Sequence, residues 1–204
     1  MKIGSTSWIE PGTYYHNARL LVGLVDFVEL LVYTWNIETE ILLKEEIPRL
    51  GNLNLAYTIH LPTDSLVCCE NAYSFFTASK LKPLNFTLHP LPGWEGFIAG
   101  RRDVSLENLE VSQPPLYQRM TLDIGHSLLT GVEPAYFAGI EVREVHLSGV
   151  SDGEAHREIT EKELLFLESL KRDNLLVNIE VFEFKTLVNS LRRIKKWQNQ
   201  FRNN

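Results

Sequence analysis

The stretch "MTLDIGHSLL", Met120 to Leu129, decides how the fold is read. Thr121 and Leu122 continue a strand, Asp123 ends it, and a turn through Ile124 and Gly125 leads to His126. An acid and an imidazole three residues apart have an ordinary explanation. The acid caps the next turn and the ring packs. A different explanation becomes available if other strands end in the same way.

Outward from this stretch the chain alternates β-rich and helical runs. Strands read at "KIGSTSW", "DFVELLVY", "LNLAYTIH", "PLNFTLH", "DVSLENL", "MTLDIG", "EVREVHLSGV" and "NLLVNIEVF". Helical stretches lie between them: "YYHNARLLVGL", "IETEILLKEEIPRLG", "CCENAYSFFTASKLK", "WEGFIAGR", one turn in "SQPPLYQR", "EPAYFAGI", and "TEKELLFLESLKRD" with Thr160 and Glu163 as a capping box. A last helix, with Leu187, Val188, Leu191, Ile194, Trp197 and Phe201 at helical spacing, closes the chain. Strands alternating with helices imply a parallel sheet with right-handed crossovers. Eight such units predict an α/β fold, a closed (β/α)8 TIM barrel, ahead of an open doubly wound sheet. Such barrels usually take about 250 residues. At 204 residues this one is expected to be compact, residues 1–204 forming a single domain, with shortened helices after the fourth, fifth and sixth strands.

In such a barrel functional side chains come from the C-terminal strand ends. Those ends carry His60 in "YTIHLP", His89 in "FTLHPLP", Glu107 in "VSLENLE", Asp123 and His126 in "TLDIGH", His146 in "VREVHLSG" and Glu180 in "LVNIEV". Of the six histidines, four stand at or just beyond a strand end. His156 follows the seventh strand in "SDGEAHRE", and only His16 lies elsewhere. Buried strands prefer β-branched and aromatic residues, so repeated polar closure is not what core packing asks for. Neutral imidazole and carboxylate are ligands of zinc, manganese and iron. Cys68 and Cys69 fall at a helix start, so a thiolate zinc finger is excluded. The ligand set exceeds what one ion takes, which points to two or even three ions.

The net charge of −6 argues against a general nucleic-acid binder. The basic run "SLRRIKKWQNQFRNN" reads as the solvated face of a packed helix. Two adjacent cysteines without a disulfide, the lack of an apolar run of about 18–20 residues, and a direct start into a strand lead to the expectation of a soluble cytoplasmic protein that engages neither membrane nor nucleic acid.

The segments "SLENLE", "TLDIGH", "VHLSGVSDGEAHRE" and "NIEV" resemble the xylose isomerase-like barrels that include the AP endonuclease family 2 enzymes. Within that superfamily "KIGSTSWIEPGTYYHNARLL", "VDFVELLVY", "LAYTIHLPTD" and "HLSGVSDGEAHREI" are most similar to the cobamide-remodelling phosphodiesterases. The resemblance spans Lys2 to about Glu180. It implies a metal cluster at the C-terminal rim, with His60, His89 and His126 as imidazole ligands. Glu107 and Glu180 become its central and catalytic carboxylates, Glu107 bridging, and Asp123 and His146 complete a second ion's shell. Asp152 and His156 resemble an acid–histidine pair for a third ion, although four residues separate them here where the endonuclease pattern has two. Glu29 in "VELL" matches a strand-two carboxylate, expected behind the ligands or facing substrate. Trp94 and Phe97 are candidates to stack on a planar ligand, or to cover the barrel where a helix is missing, and Arg101 or Arg102 to meet a phosphate.

The implied activity is hydrolysis of the phosphodiester in the nucleotide loop of a corrinoid, with one to three divalent ions of zinc, manganese or iron as cofactors. Short loops and negative charge speak against endonuclease activity. Two alternatives stay open. Glu107, Asp123, His146 and Glu180 also resemble the single-metal site of sugar isomerases and epimerases, where paired glutamates move a proton beside a carbonyl. A shortened barrel that binds a ligand without turnover is the other.

Overall fold

In the computed structural model, which describes residues 1–170 and 174–201, eight parallel strands close into a barrel. They are β1 (Lys2–Thr6), β2 (Phe27–Leu31), β3 (Ala56–His60), β4 (Phe86–Leu88), β5 (Val104–Glu107), β6 (Arg119–Asp123), β7 (Glu141–Leu147) and β10 (Leu176–Ile179). Each pairs with its sequence neighbour, and β1 closes the ring on β10. A small antiparallel hairpin, β8 (Gly149–Ser151) and β9 (Glu154–Arg157), stands outside the barrel just after β7. The strand expected over "EVREVHLSGV" stops at Leu147, and its last two residues, Gly149 and Val150, belong to this hairpin.

The helices are α1 (Tyr14–Leu21), α2 (Ile37–Leu50), α3 (Leu66–Ala78), α4 (Trp94–Ile98), α5 (Ile124–Thr130), α6 (Glu161–Ser169) and α7 (Phe184–Phe201). Local chemistry starts several of them. Asn36 accepts from Thr39 N at 2.8 Å ahead of α2, and Thr160 N donates to Glu163 Oε2 at 2.7 Å in the expected capping box of α6. Each such cap is worth about 1 kcal/mol. Leu187, Leu191 and Ile194 of α7 bury one stripe against the barrel. The expected Phe201 side chain and residues 171–173 of the α6 run lie outside the described residues.

The shortening falls where the sequence put it, and goes further. α4 has five residues where a short helix is expected. α5, of seven residues, is not expected: it starts at Ile124, directly after Asp123, where the sequence reading runs the strand on to Gly125 and then turns. The turn expected in "SQPPLYQR" is absent, because Pro114 and Pro115 remove consecutive donors and clash with a helical turn. The helix expected over "EPAYFAGI" reduces to a 3-10 turn at Pro134–Phe137.

The apolar core lies between barrel and helices. Val28, Leu30, Ile59, Leu88, Leu106, Leu122, Val145, Leu147, Val177 and Ile179 are all buried. Alternate strand residues face the barrel interior, which is where bulky aliphatics usually pack. Here they are mostly polar. Thr58, Asn85, Thr87, Ser105, Thr121, Glu144 and Asn178 are each at most 1% exposed. Phe27 is the exception at the N-terminal end. Its ring lies against Gly4, where a Cβ would come to 2.4 Å of the ring, so a larger residue there would force this buried ring to move. A bulge in β7 skips Arg143, pairing Met120 with Val142 and Thr121 with Glu144. It turns Glu144 and then His146 inward.

Candidate metal centre

The strands deliver their last inward residues to one rim. His60 closes β3, Glu107 closes β5, Asp123 closes β6, and Glu180 follows β10. His146 stands level with Asp123 and Asn178 in the sheet register. Glu107 sits at the junction. Its Oε2 lies 3.1 Å from His60 Nε2 and 2.9 Å from His89 Nε2, and its Oε1 lies 2.7 Å from His146 Nδ1. His146 Nδ1 is also 3.2 Å from Glu180 Oε2. Two donor groups result, each with its ligand atoms within 4.8 Å of one another: His60, His89 and Glu107, and Glu107, Asp123, His146 and Glu180. Glu107 belongs to both.

Electrostatics couple these groups. Burial works against the imidazolium of His60, but the hydrogen bond and charge of Glu107, with Glu29 behind, lift its pKa to about 9. Burial likewise opposes a charged His146, yet Glu29, Glu180 and Glu107 together hold it well above the ordinary histidine value. Burial pushes Glu107 up, and His146, His60 and His89 overcome it and leave the carboxyl well below the usual range. Glu180 falls to about 2 despite burial, through His146 and His156. Asp123 goes the other way. Burial, with Glu180 and Glu107 nearby, raises it to about 7 against the pull of His126.

Asp123 resolves the ambiguity of the opening stretch, because it does two things. Its Oδ1 accepts from His126 N at 2.8 Å and caps α5, as an ordinary capping acid would. Its Oδ2 is buried and has no hydrogen-bond partner, and the residue belongs to the acid–imidazole group at the rim. Asn108 grips the same backbone, accepting from Asp123 N at 2.7 Å and donating to Asp123 O at 3.0 Å. A buried carboxylate oxygen without a donor is costly unless something positive meets it. His126 Nδ1 stands 3.6 Å from this oxygen, beyond hydrogen-bond reach, and the oxygen, with the all-oxygen-and-imidazole donor set, fits a divalent metal.

The remaining sequence candidates divide. His126 and His156 stand at the same mouth, ring centres 5.8 Å apart. His126 Nε2 is 3.7 Å from Glu110 Oε1, and His156 Nδ1 is 3.7 Å from Glu180 Oε2. Asp152 is exposed in the β8–β9 turn, with φ +55°, and accepts from Ser151 Oγ at 2.9 Å. Glu29 lies behind His146, Oε1 at 3.1 Å from Nε2. Trp94 packs edge-on against Tyr117, and Arg101 is bound by Glu70 at 2.8 Å and lies over the Phe97 ring. Phe97 itself is buried, which agrees with covering the barrel.

The sequence reading missed an aromatic wall. Trp8 follows β1, Tyr33 follows β2 and Phe182 follows β10. Trp8 stands 5.4 Å from Tyr33 and 6.1 Å from Phe182, Tyr33 is 5.3 Å from His60, and Phe182 is 4.7 Å from His156, between ring centres. Trp8 is 53% and Phe182 41% exposed, so two large rings face solvent beside the acids and imidazoles of the rim. The strand-end rule that picked out the acids and imidazoles, extended by two or three residues past each strand, reaches these rings.

No family profile and no curated relative matches the sequence. Solved structures do match in shape. A D-tagatose 3-epimerase-like protein is 15% identical, covers 100% of this chain and 99% of its own, and has a TM-score of 0.75. SacUVDE is 10% identical over 97% of this chain and 99% of its own, at 0.58. IOLI protein, solved with a binding zinc atom, is 11% identical over 96% of both chains, at 0.59. The chain therefore has the TIM-barrel fold that these proteins share.

Proposed function

We propose that the rim is a metal-dependent hydrolytic centre acting on a phosphodiester, with zinc, manganese or iron as its ion. The observation that carries this reading is Glu107, whose two oxygens serve two adjoining donor groups, one rich in imidazole and one in carboxylate. That arrangement suits a pair of ions, which would supply water activation and neutralise charge on a phosphoryl group. His60 and His89 would hold one side, Asp123, His146 and Glu180 the other. His126 and His156, at the mouth, are available to a third ion or to the phosphate itself.

Trp8, Tyr33 and Phe182 would seat a flat group next to the reacting bond. A cobamide, whose nucleotide loop joins an aromatic base to a corrinoid through a phosphodiester, is the substrate that the sequence resemblance implies, and a flat base is the kind of group that stacks on such a wall. Incubating the protein with a cobamide and divalent ions, and assaying for a released riboside, tests it. Release that depends on both metal and Glu107 supports the reading, and no release with any ion refutes the substrate.

One observation favours a second reading. Glu107, Asp123, His146 and Glu180 alone form a complete four-ligand group, and the neighbour with TM-score 0.75 is epimerase-like. A sugar epimerase would use Glu107 and Glu180 to move a proton beside a carbonyl. It would need one ion and would leave His60 and His89 without a ligand role. Solvent deuterium entering a ketose on incubation would support it.

A further inference from the structure

The imidazoles at the mouth are not oriented in the same way. His60 Nδ1 meets Leu61 O at 3.0 Å, His126 Nδ1 meets Asn108 O at 3.1 Å, and His156 Nδ1 meets Glu180 O at 3.1 Å. In each of these a backbone carbonyl takes Nδ1 and leaves Nε2 turned away from it. His146 is reversed. Its Nδ1 points to Glu107 and Glu180, and its Nε2 meets the fully buried carboxylate of Glu29 at 3.1 Å. Glu29 is fixed in turn. Asn178 Nδ2 donates to its Oε2 at 2.6 Å, and Asn178 stands level with His146 in the sheet register.

We infer that Asn178 and Glu29 are positioning residues that lock His146 with its proton on Nε2, so that this histidine ligates the rim metal through Nδ1 while its neighbours ligate through Nε2. The inference rests on the metal-centre reading of the rim. Three features support it. A carboxylate facing one ring nitrogen selects the tautomer that carries its proton there and makes the other nitrogen a better ligand. Both ring nitrogens of the fully buried His146 face carboxylates, with no backbone carbonyl among its hydrogen-bond partners in the described residues. Asn178 gives its amide hydrogen to Glu29, while its own Oδ1 has no hydrogen-bond partner, so its one interior bond is the one that steers Glu29.

Glu144 is the other buried acid close to this chain of contacts, and with Glu29 and His146 it forms a third close acid–imidazole group. It is separately satisfied by Thr58 Oγ1 and Asn85 Nδ2, each at 3.0 Å. Its neighbours therefore provide the control.

The test uses the full chain, stripped of metal and reloaded with zinc. Nitrogen-15 NMR of the histidine rings should show His146 protonated at Nε2 and bound at Nδ1, with His60 the reverse. Zinc affinity, measured by chelator competition, should fall about 10–100-fold in Glu29→Gln. It should fall less in Asn178→Leu and stay unchanged in Thr58→Val, which perturbs only the Glu144 side. Zinc bound at His146 Nε2 in the wild type overturns the inference without any variant having to fold. So does a Glu29→Gln protein that binds zinc as tightly as wild type. A wild-type protein that binds no zinc, manganese or iron refutes the metal-centre reading itself, which the other two outcomes leave standing.

Discussion

Two layers of the barrel interior, a few ångström apart, are both polar and both buried, and they differ in how their hydrogen bonds close. In the lower layer, formed by Thr58, Asn85, Thr87, Ser105, Thr121 and Glu144, every side chain has a hydrogen-bond partner. Asn85 Nδ2 donates to Glu144 Oε2 at 3.0 Å and to Ser105 Oγ at 2.8 Å, Ser105 Oγ and Thr121 Oγ1 lie 2.6 Å apart, and Thr87 Oγ1 reaches Thr121 Oγ1 at 3.1 Å. In the upper layer acids and imidazoles crowd together, Glu107 is shared by three histidines, and Asp123 Oδ2 has no donor. A satisfied network holds a fold in one arrangement. A network with surplus acceptors is one that expects a cation. Burial of polar groups alone does not mark a site, whereas an unbalanced set of them does.

The largest effect that separates the layers is Glu107→Gln. It should lower metal-dependent turnover more than about 10³-fold, about 4 kcal/mol in the barrier, while the far-ultraviolet circular dichroism stays that of a folded barrel. Turnover within tenfold of wild type would place the chemistry elsewhere.

The next is pH. In the metal-free protein Asp123 titrates at about 7 and His60 at about 9, so an incoming ion must displace their protons. Metal affinity should rise with pH, by about tenfold per unit for each proton displaced, and more steeply below pH 7 than between 7 and 9. The comparison breaks if titration calorimetry in buffers of different ionisation heat detects no proton release.

In the lower layer, Asn85→Ala leaves Glu144 and Ser105 short of a donor. It should cost about 1–3 kcal/mol of stability in denaturant melts and leave metal affinity unchanged. A loss of affinity as large as its loss of stability would merge the two layers into one unit.

The smallest effect belongs to Glu144→Gln. Burial and the charge of Glu29 raise the Glu144 carboxyl to about 8. An acid raised in the folded state stabilises while protonated, and that contribution is complete below its ordinary value and lost as pH climbs through 8. At pH 6 the variant should melt close to wild type. At pH 9 its melting temperature relative to wild type should be higher than at pH 6. An identical difference at both values would mean that Glu144 is charged throughout.

The upper layer was legible in the sequence because acids and histidines at strand ends contradict β-propensity. His60, Glu107, Asp123 and His146 each interrupt a run that would otherwise read as core. The lower layer was not legible, since Thr58, Thr87 and Thr121 are β-branched and look like ordinary strand residues. Glu144 was hidden by the bulge at Arg143, which shifts the alternation by one. Asn178 lies two residues before Glu180 and so shares its inward face, a period-two argument that the strand-end rule did not use. The barrel closure followed from counting β/α units. The missing cover between β5 and β6 was underestimated, because one turn was expected where two prolines forbid it.

Counting metal tests the central claim most directly. The full chain, stripped and reloaded with zinc or manganese, should retain about two ions per chain after desalting, and Glu107→Gln should retain fewer than one. A wild-type protein that retains none would contradict the account, and would make the crowded acids and imidazoles of the rim a buried ion-pair network with a structural role, as the hydrogen-bonded layer beneath it has.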